Sequence, residues 1–221
     1  MSTVAVVGGH GQVARHLHPL LVAAGHSPVA LVRRDGHAAA VGRLGAEPRM
    51  LDIERATAEE FGAAFAGCDA VVFAAGGGPD GNIGRKRTVD LEGALKSIEG
   101  ARTQGIDRFV MVSAIGVDDP LPADTEPVWR AYVDAKRAAD EALRASGLAW
   151  TVLRPGRLTD DEPTGLVAVG TEVERGDVTR GDVAAVVAAV VGDPTTVRCQ
   201  WNVVGGQVPV PEAVAAALRN G

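Results

Sequence analysis

Residues 4–14 read VAVVGGHGQVA, a short apolar run that passes directly into a glycine-rich turn. The spacing is Gly8-x-x-Gly11-x-x-Ala14, and a pattern typical of an amphipathic helix follows it. Glycine lets the chain turn sharply and lets the backbone approach a pyrophosphate, whose charge faces the amide groups of the next helix. A plain strand–helix turn is the alternative. Because this is the first turn of a βαβ unit, the stretch favours a nucleotide-binding fold.

The rest of the chain repeats the alternation of short, valine-rich strands with helical windows. Strands are predicted at 3–7, 27–32, 48–51, 70–74, 108–113, 149–153 and 200–204, and helices at 11–24, 58–66, 88–104, 127–146, 180–191 and 211–218. Nearly continuous apolar strands are typical of a sheet covered on both faces. We therefore predict one α/β domain over residues 1–221, a Rossmann fold whose doubly wound, mostly parallel sheet has helices on both faces.

Three segments rich in glycine, proline and aspartate interrupt this pattern, at 76–84, 116–126 and 156–177. Loops that follow strands line the ligand crevice of such a sheet. We expect these three loops to form the substrate pocket. The acidic residues 160–162 within the last loop are interpreted as a solvated surface rather than a cation site.

Composition and charge exclude several classes of protein. The net charge is −6, so no basic field would attract nucleic acid. No apolar run is long enough to cross a bilayer, and no leader precedes the first strand, so a cytoplasmic protein is expected. Cys68 and Cys199 form no pair in sequence and are expected to be free thiols. All five histidines fall within the first 37 residues, where solvated or turn positions are favoured over a metal site.

The end of the second strand predicts the cofactor. An NAD site usually has a carboxylate here for the ribose 2′-hydroxyl, but this strand ends in Arg33 and Arg34. Arginine binds a phosphate through paired, charge-assisted hydrogen bonds. A solvated arginine pair is the alternative, and Asp35 could occupy Arg34, so the main contact is assigned to Arg33. NADP(H) is therefore preferred, with NAD(H) possible. Asp52, after the third strand, could face the adenine or cap the following segment.

Three polar residues could carry proton transfer. Ser113 ends the fifth predicted strand, where this architecture places its chemistry. Tyr132 and Lys136 lie one turn apart on a predicted helix, so the hydroxyl and the ammonium group can share a site. A nearby cation lowers the pKa of a tyrosine and makes it a usable proton donor to a carbonyl. By itself, this spacing would indicate an ordinary exposed pair of side chains. In a chain that also begins with a Rossmann turn and has a serine at the end of its fifth strand, the spacing favours a catalytic pair.

Taken together, these features resemble the atypical short-chain dehydrogenase/reductases, in their NAD(P)H-binding branch described as NmrA-like or flavin/biliverdin-reductase-like. The stretches that carry the resemblance are 8–14, 31–33, 73–76, 89–94, 108–113, 132–136, 153–156 and 180–184. They extend over almost the whole chain. They are specific for the fold and the branch, and they do not identify a substrate.

The resemblance implies a role for each matching residue. The diphosphate would be bound by Gly8, Gly11, Gln12 and Val13, and the 2′-phosphate by Arg33. The adenine and its ribose would be bordered by Ala74, Ala75 and Gly76. Lys136 would bind the nicotinamide ribose, and Pro155 and Gly156 would pass beside the nicotinamide. Tyr132 would be the acid and base, and Ser113 would position the substrate carbonyl. Many relatives carry an asparagine in the fourth-strand motif, which is absent from residues 74–77 of this chain.

These expectations amount to an NADP(H)-dependent oxidoreductase that reduces a small carbonyl, quinone or flavin-like substrate by hydride transfer. Two alternatives stay open: a non-catalytic NADP(H)-binding sensor that reports to a protein partner, and an epimerase-type enzyme with bound cofactor. The Tyr132 and Lys136 pair favours an enzyme over a sensor. Because few residues follow position 155, a small substrate is expected rather than a nucleotide sugar. The sequence assigns no metal and no oligomeric state.

Overall fold

The computed structural model describes residues 1–78 and 81–220, which form eleven β-strands and eight α-helices. The strands are β1 Thr3–Val7, β2 Ser27–Val32, β3 Glu47–Met50, β4 Ala70–Phe73, β5 Arg108–Val112, β6 Ala149–Pro155, β7 Arg157–Thr159, β8 Leu166–Gly170, β9 Asp177–Thr179, β10 Cys199–Gly205 and β11 Val208–Pro209. The helices are α1 Gln12–Ala23, α2 Asp35–Gly42, α3 Ala58–Ala64, α4 Ile83–Arg85, α5 Glu92–Thr103, α6 Pro127–Ala145, α7 Arg180–Val191 and α8 Val210–Asn220. A π-helical turn, Lys86–Leu91, joins α4 to α5.

The main sheet has nine strands in the order β3-β2-β1-β4-β5-β6-β10-β8-β11. From β3 to β10 every neighbouring pair is parallel, whereas β8 pairs antiparallel with both β10 and β11. The strand order reverses between β1 and β4, the point at which ligands bind in open parallel sheets. The predicted Rossmann fold, with its mostly parallel sheet, is confirmed.

Alternate residues of the central strands face opposite layers of helices. Val4 and Val6 of β1 belong to a core that includes residues of α1, α7 and α8. Ala5 and Val7 belong to a second core that includes residues of α3, α5 and α6. Both sides of β1 are therefore buried, which explains why its sequence is continuously apolar rather than alternating. No helix in the described ranges is long and apolar enough to cross a membrane.

The structure differs from the sequence prediction in three segments. The predicted loop 156–177 contains β7 and β8, because residues 157–159 pair with β9 and residues 167–170 pair with β10, a partner more than thirty positions away. Helix α2 was not predicted, because Val41 is its one buried residue and it has no apolar stripe. The predicted helix 88–104 begins as the π-helical turn. Of the predicted loop 76–84, residues 79 and 80 lie outside the described residues.

Arg108, the first residue of β5, connects the sheet to the end of α7. Its guanidinium donates hydrogen bonds to the carbonyls of Ala149, Val190 and Val191 and to the hydroxyls of Thr151 and Thr196. The last carbonyls of a helix have no partner within the helix, so this arginine satisfies two of them. Burial lowers the pKa of Arg108 to about 10, which leaves it charged at neutral pH.

We predict that Arg108→Ala lowers the free energy of unfolding by roughly 2–4 kcal/mol, because buried carbonyls and hydroxyls lose their donor. Denaturant unfolding of the variant and the wild type measures this. Arg55→Ala is the control, since the Arg55 side chain is 90% exposed, and its change should stay within about 0.5 kcal/mol. Equal stability of Arg108→Ala and wild type would contradict the assignment.

Candidate functional site

A cleft of about 260 Å³ opens at the carboxyl ends of β1 to β4, on the line where the strand order reverses. Its walls come from the ends of these strands and from the segments that follow them. They include Gly8, Gly11, Arg33, Asp52, Ala74, Ala75 and Gly76 from the sequence prediction, together with His10, His37, Glu54 and Arg85. Seven predicted site residues therefore lie around one cleft.

The glycine-rich turn is held close to the neighbouring strands. Gly8 has a φ of +79°, and a Cβ at this position would lie 2.8 Å from the Cα of Ala75. The amide of Gly11 donates to the carbonyl of Gly8 at 2.7 Å, which closes the turn. A side chain at residue 8 would both strain the backbone and push β4 away. The turn therefore depends on glycine for its packing as well as for any ligand.

His18 supports the same turn from beneath. It is fully buried on α1, and its Nε2 lies 2.7 Å from the carbonyl oxygen of Gly9. Because a carbonyl can only accept, Nε2 carries the proton. Burial lowers the pKa of His18, which keeps the ring neutral. The expectation that all the histidines are solvated or in turns was wrong for His18, because the apolar periodicity of α1 carries it into the core.

The start of α1 fits a diphosphate. Its N-cap residue is Gly11, no side chain caps the helix, and no acidic residue lies in the first turn. Gly11 and Gln12 are exposed, whereas Val13 is buried against the sheet, so only its backbone can face a ligand. Free amides at an exposed helix start are suited to an anion. The residues at this turn therefore fit the diphosphate of a dinucleotide.

Arg33 follows β2 and points into the cleft, where it meets a carboxylate that the sequence did not reveal. Its Nη1 lies 3.3 Å from Oε1 of Glu54, and Nε of Arg85 lies 3.4 Å from the same oxygen. The hydroxyl of Thr88 donates to the other oxygen of Glu54 at 3.2 Å. Glu54 comes from the turn after β3, so examination of the end of β2 alone could not detect it.

The other predicted residues of this end of the cleft have different environments. Arg34 is exposed at the start of α2 and does not line the cleft; His37, one turn further on, does. The rings of His10 and His37 stack in parallel, with their centroids 3.8 Å apart. Asp52 lines the cleft and accepts the amide of Glu54 at 3.1 Å. It does not cap α3, whose N-cap is Thr57.

Lys136 is buried at the ends of β4 and β5. Its ammonium lies 3.5 Å from Oδ1 of Asp90 and donates to the carbonyl of Val112 at 3.2 Å and, more weakly, to that of Ala75 at 3.5 Å. Burial alone would lower the pKa of Lys136, but the neighbouring carboxylates, first of all Asp90, outweigh it and raise the pKa. The lysine is therefore charged at neutral pH.

Asp90 is a site residue that the sequence reasoning did not single out. It is fully buried in the π-helical turn, and its Oδ2 accepts the amide of Gly77 at 2.8 Å. A Cβ on Gly76 would lie 3.3 Å from its Oδ1. Asp90 thus supports the backbone after β4 from a different element. The sequence feature that could have identified Asp90 is its position within residues 89–94, one of the stretches that carry the family resemblance.

Tyr132 lies between two lysines and a tryptophan. The ammonium groups of Lys136 and Lys86 are 6.0 and 5.8 Å from its ring centroid, and Trp129 packs at 5.3 Å. Burial raises the pKa of Tyr132, and the carboxylate of Asp90 adds to this, whereas Lys136 lowers it. The expected effect of Lys136 has the right sign, but the expected net decrease was wrong because burial dominates. At neutral pH Tyr132 is a neutral phenol.

Ser113 is buried, and its hydroxyl is bonded to a neighbouring side chain. Its hydroxyl donates to Oδ2 of Asp140 at 2.9 Å, and the same oxygen accepts Nε of Arg154 at 2.9 Å. Nη1 of Arg154 then reaches Asp118 at 2.7 Å. Burial raises the pKa of Asp140, against the lowering effect of Arg154. A polar network therefore connects the end of β5 to α6 and β6.

The third segment predicted to line the substrate pocket, residues 156–177, begins at the end of β6. Pro155 is buried, and a Cβ on Gly156 would overlap the carbonyl of Gly176, so only glycine fits where the two segments cross. Neither residue lines the cleft described above. A second cavity, of about 440 Å³, lies between segment 115–126, Trp129 and Val133 of α6, and Arg175. In the described part of the chain no group of three histidine, cysteine, aspartate or glutamate residues could hold a metal ion.

Comparisons with known proteins agree with this geometry. The family model described as NAD(P)H-binding matches residues 8–194. A Bacillus subtilis protein named as an uncharacterized sugar epimerase, YhfK, is 37% identical over 216 residues, covering 96% of this chain and 98% of its own.

Two solved structures extend the comparison. A protein of Bacillus halodurans, described as a candidate NAD-dependent epimerase/dehydratase, is 39% identical with a TM-score of 0.89, over 98% of this chain and 100% of its own. ChuY, an anaerobillin reductase of Escherichia coli, is 25% identical with a TM-score of 0.75, over 92% and 97% of the two chains. With its Rossmann turn, its cleft and these relatives, the chain belongs to the NAD(P)H-binding family, within the atypical short-chain dehydrogenase/reductase-like branch.

Proposed function

We propose that this protein is an NADP(H)-dependent oxidoreductase that reduces a small, flat carbonyl, quinone or flavin-like substrate. One observation supports this most directly. A neutral, largely enclosed Tyr132 lies beside the charged Lys136 at the carboxyl edge of the sheet, next to the cleft of an NAD(P)H-binding fold. A protein that only senses its cofactor has no need of a phenol held in this way.

The roles of the two side chains follow from their charges. Bound NADPH would supply a hydride to the substrate carbon. Tyr132 then donates its phenolic proton to the oxygen that gains negative charge. Lys136 stabilises the phenolate that remains, because its ammonium lies close to the ring and is kept protonated by Asp90. To reach the ribose hydroxyls in this proposal, the ammonium gives up its weak hydrogen bond to the carbonyl of Ala75.

In this proposal Ser113 positions the substrate carbonyl, which requires its hydroxyl to rotate. Because the hydroxyl donates its proton to Asp140, Ser113 can offer a ligand only the lone pairs of its oxygen. To position a carbonyl oxygen, the hydroxyl has to turn away from Asp140. The carboxylate would keep Arg154 as a partner after such a turn, so the rotation does not leave a buried charge alone.

The cavity beside Trp129 is the proposed substrate site. Trp129 contacts Tyr132 and lines this cavity, so a planar molecule stacked on the indole would come close to the proton donor. The lining also includes Asp119, Asp124 and Glu126, three carboxylates against the guanidinium of Arg175, and this balance disfavours phosphate groups. This lining supports a small uncharged or cationic substrate over a nucleotide sugar. The two relatives named for epimerase-type activity give an alternative that substrate assays can test.

The preference for NADP(H) rests on Arg33, and Glu54 opposes it. A 2′-phosphate would replace the carboxylate of Glu54 as the partner of Arg33, with Arg85 beside it in the same cleft. NAD(H) offers a hydroxyl at this place, and Glu54 can accept a hydrogen bond from it. In this proposal the guanidinium of Arg33 favours the charged cofactor, and Glu54 reduces that preference.

Tyr132 can be titrated directly because it is the one tyrosine of the chain. We predict that its pKa in the folded protein lies above that of free tyrosine, since burial opposes the phenolate. Ultraviolet absorbance of the phenolate measures it, with circular dichroism at each pH to exclude unfolding. Lys136→Met should raise the pKa further by removing the neighbouring cation. A pKa below the ordinary value in the folded protein would contradict the neutral-phenol mechanism.

Wild type should oxidise NADPH in the presence of at least one member of a panel of quinones, flavins and small carbonyl compounds. Tyr132→Phe removes one oxygen and keeps the ring against Trp129, so we expect about a hundredfold or greater loss of turnover with NADPH affinity retained. Steady-state rates and cofactor titration measure the two effects.

The outcomes separate the three functional hypotheses. NADPH binding without reduction of any acceptor would replace the enzyme by the sensor hypothesis. Full activity of Tyr132→Phe would exclude Tyr132 as the proton donor and favour direct hydride transfer to a flavin-like acceptor. Interconversion of a sugar without net cofactor oxidation would establish the epimerase alternative.

Two variants that change the charge beside the proposed 2′-phosphate site in opposite directions test the choice of cofactor. Arg33→Asp should weaken NADPH binding by at least about tenfold and leave NADH binding equal or stronger, because a charge-assisted hydrogen bond contributes roughly 1.5–3 kcal/mol. Glu54→Gln should strengthen NADPH binding and weaken NADH binding. Titration of both cofactors against both variants measures this. Equal affinity of wild type for NADPH and NADH would refute the proposed preference.

A further inference from the structure

An aspartate from the predicted substrate wall reaches the phosphate-binding turn. Oδ1 of Asp160 accepts a hydrogen bond from the side-chain amide of Gln12 at 3.0 Å and another from Nη1 of Arg180 at 2.8 Å. Gln12 is the first residue of α1 and Arg180 is the first residue of α7, and the two helices pack side by side. Two donors from two helix starts therefore meet at one carboxylate oxygen.

The two partners of the ion pair differ in how firmly they are held. The Arg180 side chain is 20% exposed, and its backbone is fixed at the start of α7, whose N-cap Thr179 accepts the amide of Asp182 at 3.0 Å. The Asp160 side chain is 69% exposed and begins the irregular segment between β7 and β8. An ion pair with so exposed a carboxylate contributes little to stability. Asp160 can therefore leave while Arg180 keeps its place.

The electrostatics of this arrangement conflict with a bound cofactor. Members of the NAD(P)H-binding family hold a diphosphate, and the helix start at Gly11 and Gln12 fits that group. The Asp160 carboxylate is hydrogen-bonded to Gln12 and would repel two adjacent phosphates. Arg180, once separated from Asp160, offers them a charge-assisted hydrogen bond from the same point.

We infer that Arg180 binds the diphosphate of the cofactor, and that the Asp160 carboxylate occupies its place when no cofactor is bound. This inference rests on the cofactor binding in the proposed function and goes beyond it, since it names the cation that meets the diphosphate. NADPH and NADH share this group. The contribution of Arg180 is therefore the same for both cofactors, unlike that of Arg33.

Two substitutions of the same ion pair test the inference. Arg180→Ala should weaken NADPH and NADH by the same factor, at least about tenfold, and should leave the affinity for 2′-AMP unchanged, because that probe has no diphosphate. Asp160→Asn should strengthen both dinucleotides, by about threefold or more. Arg102→Ala is the matched control: it removes an exposed arginine that pairs with Glu99 within α5, and both affinities should stay at the wild-type value. Isothermal calorimetry gives the affinities, and thermal melting confirms the fold of each variant.

The opposite changes in affinity expected of the two substitutions distinguish a contact with the cofactor from an ion pair that is only structural. If the pair only fastens the segment to the turn, Arg180→Ala and Asp160→Asn both weaken dinucleotide binding, and the inference is overturned. It is also overturned if Arg180→Ala binds both dinucleotides as tightly as wild type does, or weakens NADPH alone. If wild type binds neither NADPH nor NADH, the proposed function itself fails, and this result differs from all the others.

Discussion

The ammonium group of Lys136, buried against the carboxylate of Asp90, is the interaction on which the proposed chemistry depends. The two side chains are 5% and 0% exposed, so the pair is closed to water. Removal of one partner of such a pair leaves an uncompensated buried charge, which costs about 3–5 kcal/mol. The ion pair therefore fixes the lysine, and the lysine in turn determines the electrostatic surroundings of Tyr132. The same carboxylate holds the backbone after β4 through Gly77, so the wall of the cleft and the proton donor share one support.

The sequence predicted the parts of the site that lie on regular elements near the turns of the sheet. The spacing of Gly8 and Gly11 and the helical spacing of Tyr132 and Lys136 are local patterns, and local geometry alone brings their members together. Asp90, Glu54 and Asp160 could not be assigned in this way. Each contacts its cation across a distance of 20 or more positions, which depends on the strand order and on the packing of helices rather than on spacing. The π-helical turn that carries Asp90 has no pattern that distinguishes it from an α-helix.

These three carboxylates have a common consequence. Lys136, Arg33 and Arg180 each pair with one of them, so the cations that the proposal assigns to the cofactor are already neutralised. A count of arginines at the end of β2 therefore overstates the positive charge that a cofactor meets. The affinity for a phosphate depends on an exchange, in which the phosphate replaces a carboxylate, rather than on the arginine alone.

Exposure decides which of these exchanges is possible. The pair of Arg33 with Glu54 has side chains that are 40% and 28% exposed, and the pair of Arg180 with Asp160 has side chains that are 20% and 69% exposed. Ion pairs in contact with water contribute about 0–1 kcal/mol, so the 2′-phosphate proposed for Arg33 and the diphosphate proposed for Arg180 could each displace a carboxylate. The closed pair of Lys136 with Asp90 is too costly to separate, and it keeps its charge and position whether or not a cofactor is bound. In the proposed function, Arg33 in the cleft and Arg180 at the start of α7 thus exchange a carboxylate for a ligand, whereas Lys136 keeps its partner and lies beside Tyr132.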